Sequence, residues 1–197
     1  MPGLNQHIWG EVFWRLMNRV AYYSDVYQLD HNTLFIFFTT LILLLPCPVC
    51  QRKSVTYMHH QKKAFLRHCK NKSLLSWVFK FHNHVNAQLQ KTTTIQLDLV
   101  YRRCLLYHLN PLKVDARPVF FTLFQYHRDN NSPTHKHYQL LLIKSYISIE
   151  QSLQGNRHPE EHIVDFRSTF KKYFFPFTRY SELHRQFMKI FHYKKIN

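Results

Sequence analysis

The sequence predicts an all-α protein: a helical bundle in the first half, followed by a second helical region. Three observations carry this. Glycine occurs 3 times and proline 8 times in 197 residues, too few for the tight turns of a many-stranded β fold. Hydrophobic residues make up 45% and aromatic residues 16%, enough to fill a real core. Apolar residues also recur at three- and four-residue spacing over long stretches, the period of a helix with one buried face.

Residues 8–24 predict the first helix. Val12, Leu16, Val20 and Tyr23 fall in line, with Trp9, Phe13 and Met17 widening the face. Trp14, Asn18 and Ala21 lie along one flank of it. From this helix alone, core packing accounts for Trp9 and Trp14. Ser24, Asp25, Asp30, His31 and Asn32 mark a loop, and Thr33 is the expected cap of a second helix over 34–45. That second run is almost unbroken in its apolar character but only about twelve residues long, short of the roughly twenty that a membrane span needs. It predicts a buried core helix.

Pro46-Cys47-Pro48-Val49-Cys50 follows. Pro46 disfavours helix at the residue before it, which ends the second helix, and Pro48 suits the first turn of a third, expected to run to about His60. Two cysteines separated by two residues either close a small reducible disulfide or supply half of a zinc site. At a helix N-terminus the dipole favours a thiolate, which makes the sulfur nucleophilic and gives the pair a redox geometry. The zinc reading has its own support, because His59 and His60 stand at finger-like distance and the chain is basic.

Gln61 to Lys72 reads as a basic segment containing Cys69, after which Ser73 is the expected cap of a fourth helix. Leu74, Trp77, Phe81, Val85 and Leu89 form its apolar stripe, bordered by His82 and Asn86, with Asn83 just beyond. A polar row on the lip of an aromatic stripe suits a flat heteroaromatic ligand, and equally describes exposed helix polars. After Thr92-Thr93-Thr94, residues 98–109 predict a fifth helix on Leu99, Leu105, Leu106 and Leu109, ended by Asn110-Pro111. Pro118 opens a helix to about Arg128. Further helices are expected at 135–153, 159–174 and 180–193. The division expected is therefore residues 1–110 and a helical C-terminal region, 111–197.

Lysine and arginine number 27 against 11 acidic residues, a net charge of +16. That balance is compatible with nucleic acid or an anionic surface as partner, and equally with a bias spread over solvated faces, since the basic residues are scattered. The 15 histidines are scattered too. Four cysteines, Cys47, Cys50, Cys69 and Cys104, are too few to staple a secreted scaffold of this length, and the N-terminal stretch lacks the pattern of a secretory signal.

Taken together, Trp9-Gly10-x-x-Phe13-Trp14, then Pro46-Cys47-x-x-Cys50, then Trp77-x-x-x-Phe81-His82-Asn83-x-Val85-Asn86-x-x-Leu89-x-Lys91 resembles the FAD-linked sulfhydryl oxidases of the Erv/ALR family, most of all its viral members. The resemblance covers roughly residues 8–91. It implies a helical bundle holding FAD over residues 1–110, and an enzyme that passes electrons from protein dithiols through the Cys47–Cys50 disulfide to FAD and on to O₂, with hydrogen peroxide as product. It implies Cys50 as the sulfur next to the flavin and Cys47 as the outer sulfur that substrate or shuttle thiols attack. Trp77, His82, Asn83 and Asn86 would hold the adenosine end, Lys91 would lie near the phosphates, and Trp14 would line the flavin from the first helix, beside Trp9, Gly10 and Asn18.

The chain departs from the family at several of these positions. Asn18 stands where a histidine is usual, Leu45 where a tyrosine precedes Pro-Cys, and Gln90 where glycine is common. Phe79 and Gln96 occupy the positions of a structural disulfide found in many cellular members. Cys69 and Cys104 could bridge, relay electrons to Cys47, or be ordinary buried thiols. Residues 111–197 could mimic the second half of a family dimer, the chain could instead pair with a second copy, or the region could serve as a basic docking module. No transmembrane segment is expected. The viral likeness implies the host cytoplasm or nucleus, or a virion, as the place of work, where an oxidase could supply disulfides that the host's reducing pools disfavour.

Overall fold

The computed structural model describes residues 6–91, 95–109, 117–126 and 132–154. Seven helices and no strand occur among the described residues: α1 Gln6–Tyr27, α2 His31–Leu43, α3 Pro48–Lys70, α4 Leu74–Gln88, α5 Leu97–Leu109, α6 Arg117–Tyr126 and α7 Pro133–Gln154. The all-α expectation holds. The helices expected at 159–174 and 180–193 lie outside the described residues.

α1 buries Trp9, Phe13, Leu16, Met17, Val20 and Tyr23, the face its spacing predicts, and lays it against α4. α2 begins earlier than expected, at His31, because Asp30 and not Thr33 caps it: the Asp30 carboxylate accepts from Thr33 N at 2.7 Å. That bond, with a second from the Thr33 hydroxyl, holds the Asp30 carboxyl below the usual range. α3 is longer than expected and absorbs the basic segment to Lys70. Nothing between Pro48 and Lys70 breaks a helix, and Ser54, Met58, Phe65 and Cys69 keep one side buried throughout.

The cap of α4 comes from across the fold. Ser73 stands at the N-cap without a side-chain bond. The Asp25 carboxylate, at the end of α1, accepts instead from Leu74 N at 2.6 Å and Leu75 N at 3.0 Å. Burial pushes the Asp25 carboxyl upward, against the pull of those two amides. This fixes α4 on α1, the helix pair that carries the site. Beneath them Trp77 meets Phe65 edge-on at 4.9 Å and Phe38 at 6.3 Å, so α2, α3 and α4 share one aromatic core.

α6 and α7 join the same core. Phe120 and Leu123 of α6 and Leu142, Ile143 and Tyr146 of α7 are buried with the residues of α1 and α2. α7 packs mainly along α2, with Tyr146 at 6.1 Å from Phe37 and 5.1 Å from Phe120. Arg19 of α1 pairs with Glu150 of α7 at 3.3 Å; burial opposes its charge, and Glu150 together with Tyr146 and Tyr23 more than restores it. No described helix is long and apolar enough to cross a membrane.

Three non-glycine residues adopt the left-handed backbone that closes helices: Gln28 (φ 53°), Lys72 (φ 54°) and Gln90 (φ 55°). Gln90, just after α4, is the position where the family commonly has glycine, and the backbone there is of the kind glycine adopts without steric cost.

Candidate functional site

Cys47 is the N-cap of α3, with extended backbone (φ −153°, ψ 105°), and Pro48 follows in the first turn. The Cys47 sulfur accepts from the backbone N–H of Cys50 at 3.2 Å, and the two sulfurs are joined as a disulfide with Cα atoms 5.2 Å apart. Both cysteines are half-buried, while Pro48 and Val49 between them are exposed. A zinc site would need these sulfurs as thiolates beside His59 and His60. The sulfurs are bonded to each other instead, and both histidines lie exposed roughly 13 Å or more further along α3. Among the described residues no three metal-ligating side chains come together.

Two cavities lie behind the disulfide. A small one of about 60 Å³ has Cys50 in its wall, together with Trp9, Phe81, Asn86 and Leu89. A cleft of about 530 Å³ is lined by residues of α1, α4 and α5 with Lys91 and Ile95. The two share Gly10, Trp14 and Lys91, so one wall continues from the Cys50 sulfur to the outer cleft. Cys47 is in the wall of neither. Trp14 and His82 both line the cleft, their rings stacked on each other at 3.8 Å and 9°, with Phe81 set edge-on to Trp14 at 5.4 Å.

Of the residues singled out in the sequence, Trp9, Gly10, Trp14, Asn18, His82, Asn86 and Lys91 stand in these walls. Trp77 and Asn83 do not. Trp77 is 1% exposed, inside the aromatic core, and its indole N–H has no partner. The Asn83 amide is used on the backbone, accepting from Ile95 N at 3.2 Å and donating to Ile95 O at 3.4 Å. It clasps Ile95, which stands in the wall of the cleft.

The α5 wall was not legible in the sequence. The leucine spacing there predicts a face on Leu99, Leu105, Leu106 and Leu109; Leu99 and Leu105 are exposed, the side chains of Leu106 and Leu109 lie outside those described, and Val100 and Cys104 turn inward. Arg103 and Cys104 join the cleft, as does Arg15 of α1. Both remaining cysteines are free thiols. Cys104 faces the Asn18 carbonyl at 3.8 Å, and burial pushes its pKa up to about 12. Cys69 packs at the end of α3, outside both cavities, and burial and then the charge of Asp25 likewise push it up to about 12. Both are protonated at neutral pH.

The cleft fits the FAD that the resemblance implies. Its volume falls in the range of sites for ligands of that order, about 300–1,000 Å³. Asn18 turns a buried side-chain oxygen without a hydrogen-bond partner into this part of the fold, an acceptor awaiting a donor. A Cβ added at Gly10 would meet nothing within 4 Å, so the space beside it belongs to the cleft and not to packing. Lys91 and Arg103 bring two cations to a wall that a diphosphate could use, beside Arg15, which is paired with Glu11 of the same cleft.

Burial, and then the charge of Lys91, push the His82 pKa down to about 4. His82 is therefore neutral at pH 7. Between about pH 6.5 and that value an unfolded chain binds a proton which the folded one refuses, so stability falls as pH drops through this window and is level above it. Denaturation midpoints at pH 7 and pH 4.5 should show this loss in the parent and a smaller one in His82→Phe; equal losses would contradict it.

A match to the Erv1 / Alr family covers residues 10–103. A protein of Invertebrate iridescent virus 3, provisionally named an FAD-linked sulfhydryl oxidase, is 31% identical over 90 residues, 45% of this chain and 60% of that protein. The chain thus spans three fifths of the length of the curated relative it matches. No solved structure matches it.

Proposed function

We propose, from the match of residues 10–103 to the Erv1 / Alr family, that the protein is an FAD-dependent thiol oxidase that makes disulfides in protein substrates. The observation that carries this is the position of the redox pair. Cys50 opens on the cavity that continues into the cleft, and Cys47 lies outside it beside exposed Pro48 and Val49.

A substrate thiolate attacks the Cys47 sulfur, forming a mixed disulfide and breaking the Cys47–Cys50 bond. The Cys50 sulfur leaves as a thiolate in the first turn of α3, where the helix dipole favours negative charge. A second substrate thiol then attacks the mixed disulfide, which frees oxidised substrate and leaves Cys47 and Cys50 as the reduced pair, holding two electrons. FAD, if held in the cleft, would supply the two-electron acceptor for that pair and the route from it to O₂, with hydrogen peroxide as product. Trp14 and His82 would line its rings, neutral His82 adding no charge there, Asn18 would present an acceptor, and Lys91 and Arg103 would face its diphosphate, with Arg15 beside them paired to Glu11. The tight space behind Cys50 limits water next to the reduced pair.

We further infer that α6 and α7 belong to the bundle as a built-in cover of the α1–α2 face, standing where a second copy would otherwise be needed. The viral relative supports a place of work within an infected cell or a virion. Protein loaded with FAD and given a reduced protein dithiol should consume O₂ and release an equal amount of peroxide. Loaded protein that consumes none would overturn the reading.

A further inference from the structure

α3 starts at the redox pair and contains no Asp or Glu in its 23 residues. The side opposite its buried Ser54, Met58, Phe65 and Cys69 displays Arg52, His59, Lys63, Arg67 and Lys70, all exposed, with Thr56 between the first two and three- to four-residue spacing from His59 on. Lys53 and Lys62 flank this row. Among the described residues none of these lysines and arginines forms an ion pair. Lys63, Arg67 and Lys70 are neighbours on the helix surface, where like charges repel and cost stability. Val49, 52% exposed, lies on the same face one turn before Arg52, between the two cysteines. The row from Val49 to Lys70 is roughly 31 Å long, the reach of an extended peptide of about nine residues.

We propose that this face of α3 docks an acidic, extended segment of the substrate protein and so brings the substrate's cysteine pair to Cys47. The proposal rests on the oxidase reading and names the substrate class for it: polypeptides carrying Asp- or Glu-rich sequence beside a dithiol. Three features select an acidic polypeptide. The row begins at a disulfide whose reaction partner is a polypeptide thiol, and its sign is complementary to a carboxylate-rich segment. The aromatic residues of α3 also face away from it: Phe65 is buried, and Tyr57 packs on Trp77, Phe81 and His84. The row therefore lacks the stacking surface used to hold single-stranded nucleic acid.

The test uses two peptides with the same Cys-x-x-Cys dithiol, one with a nine-residue Asp/Glu extension and one with Asn/Gln in its place, and dithiothreitol as a small dithiol. Binding of a fluorescent Cys→Ser form of the acidic peptide is measured alongside turnover. The acidic peptide should show a kcat/KM about tenfold above the neutral one at low salt. The advantage should vanish at high salt and in a Lys63→Glu, Arg67→Glu double variant, with dithiothreitol turnover unchanged. Equal turnover of the two peptides, or an acidic preference that survives the charge reversal, overturns the proposal. So does a row whose reversal abolishes binding of single-stranded DNA while the acidic peptide is never preferred. If dithiothreitol is not oxidised but the acidic peptide still binds through α3, the oxidase reading falls and the docking face stands.

Discussion

Cys50→Ala should abolish oxidation of every dithiol, by about 10³-fold or more, while the protein keeps its flavin. A loss of that order is what removal of an attacking or leaving group costs when catalysis passes through it. Cys50 is the sulfur in the cavity wall and Cys47 the one outside it, so the alanine variant can accept a substrate thiol at neither end of an intact disulfide. The remaining walls, Trp14, Asn18, His82, Arg15 and Arg103, are untouched by the change, and flavin should remain bound. Oxygen uptake and the visible absorbance of the purified variant give both readings. Residual turnover within tenfold of the parent would show that electrons reach the acceptor by another path.

Trp14→Ala should have the opposite signature: flavin retention falls by roughly 10–100-fold in Kd, as expected for removing a large aromatic contact worth about 1.5–3 kcal/mol. Trp14 is common to both cavities, stacks on His82 at 3.8 Å and buttresses Phe81. It is only half-buried, so the fold should survive its loss. Titration of the apoprotein with FAD, followed by flavin fluorescence, measures the change. An unchanged Kd would place the flavin elsewhere.

Much of this was legible in the chain. The face of α1, the break at Pro46, the new helix at Pro48 and the stripe of α4 follow from spacing and proline chemistry alone. Trp14, Asn18, His82 and Asn86, which periodicity puts at the borders of apolar stripes, do stand at the cavity walls. What was not legible depends on contacts distant in sequence. Asp25 caps α4 from 49 residues away, and no local pattern marks it. Asn83 reads as a ligand-facing polar residue because nothing in the sequence shows that Ile95 returns to meet it. Trp77 reads equally well as stacking surface or core; α2 and α3 decide for burial by bringing Phe38 and Phe65 to it. On α5 the leucines outnumber the inward residues, so simple periodicity chose Leu99 and Leu105 over Val100 and Cys104 and missed the cationic wall at Arg103. The length of α3 was missed because a basic surface was read as a segment in its own right and not as the outer face of a continuous helix.

The most direct test of the central claim is the visible spectrum of the protein after loading with FAD, recorded without oxygen while a dithiol is added and again on admitting air. A bound flavin band that bleaches with the dithiol and returns with oxygen, with peroxide formed, is the predicted result. A protein that binds no FAD, or one whose flavin band the dithiol leaves unchanged, would contradict an electron path from Cys47–Cys50 into the cleft.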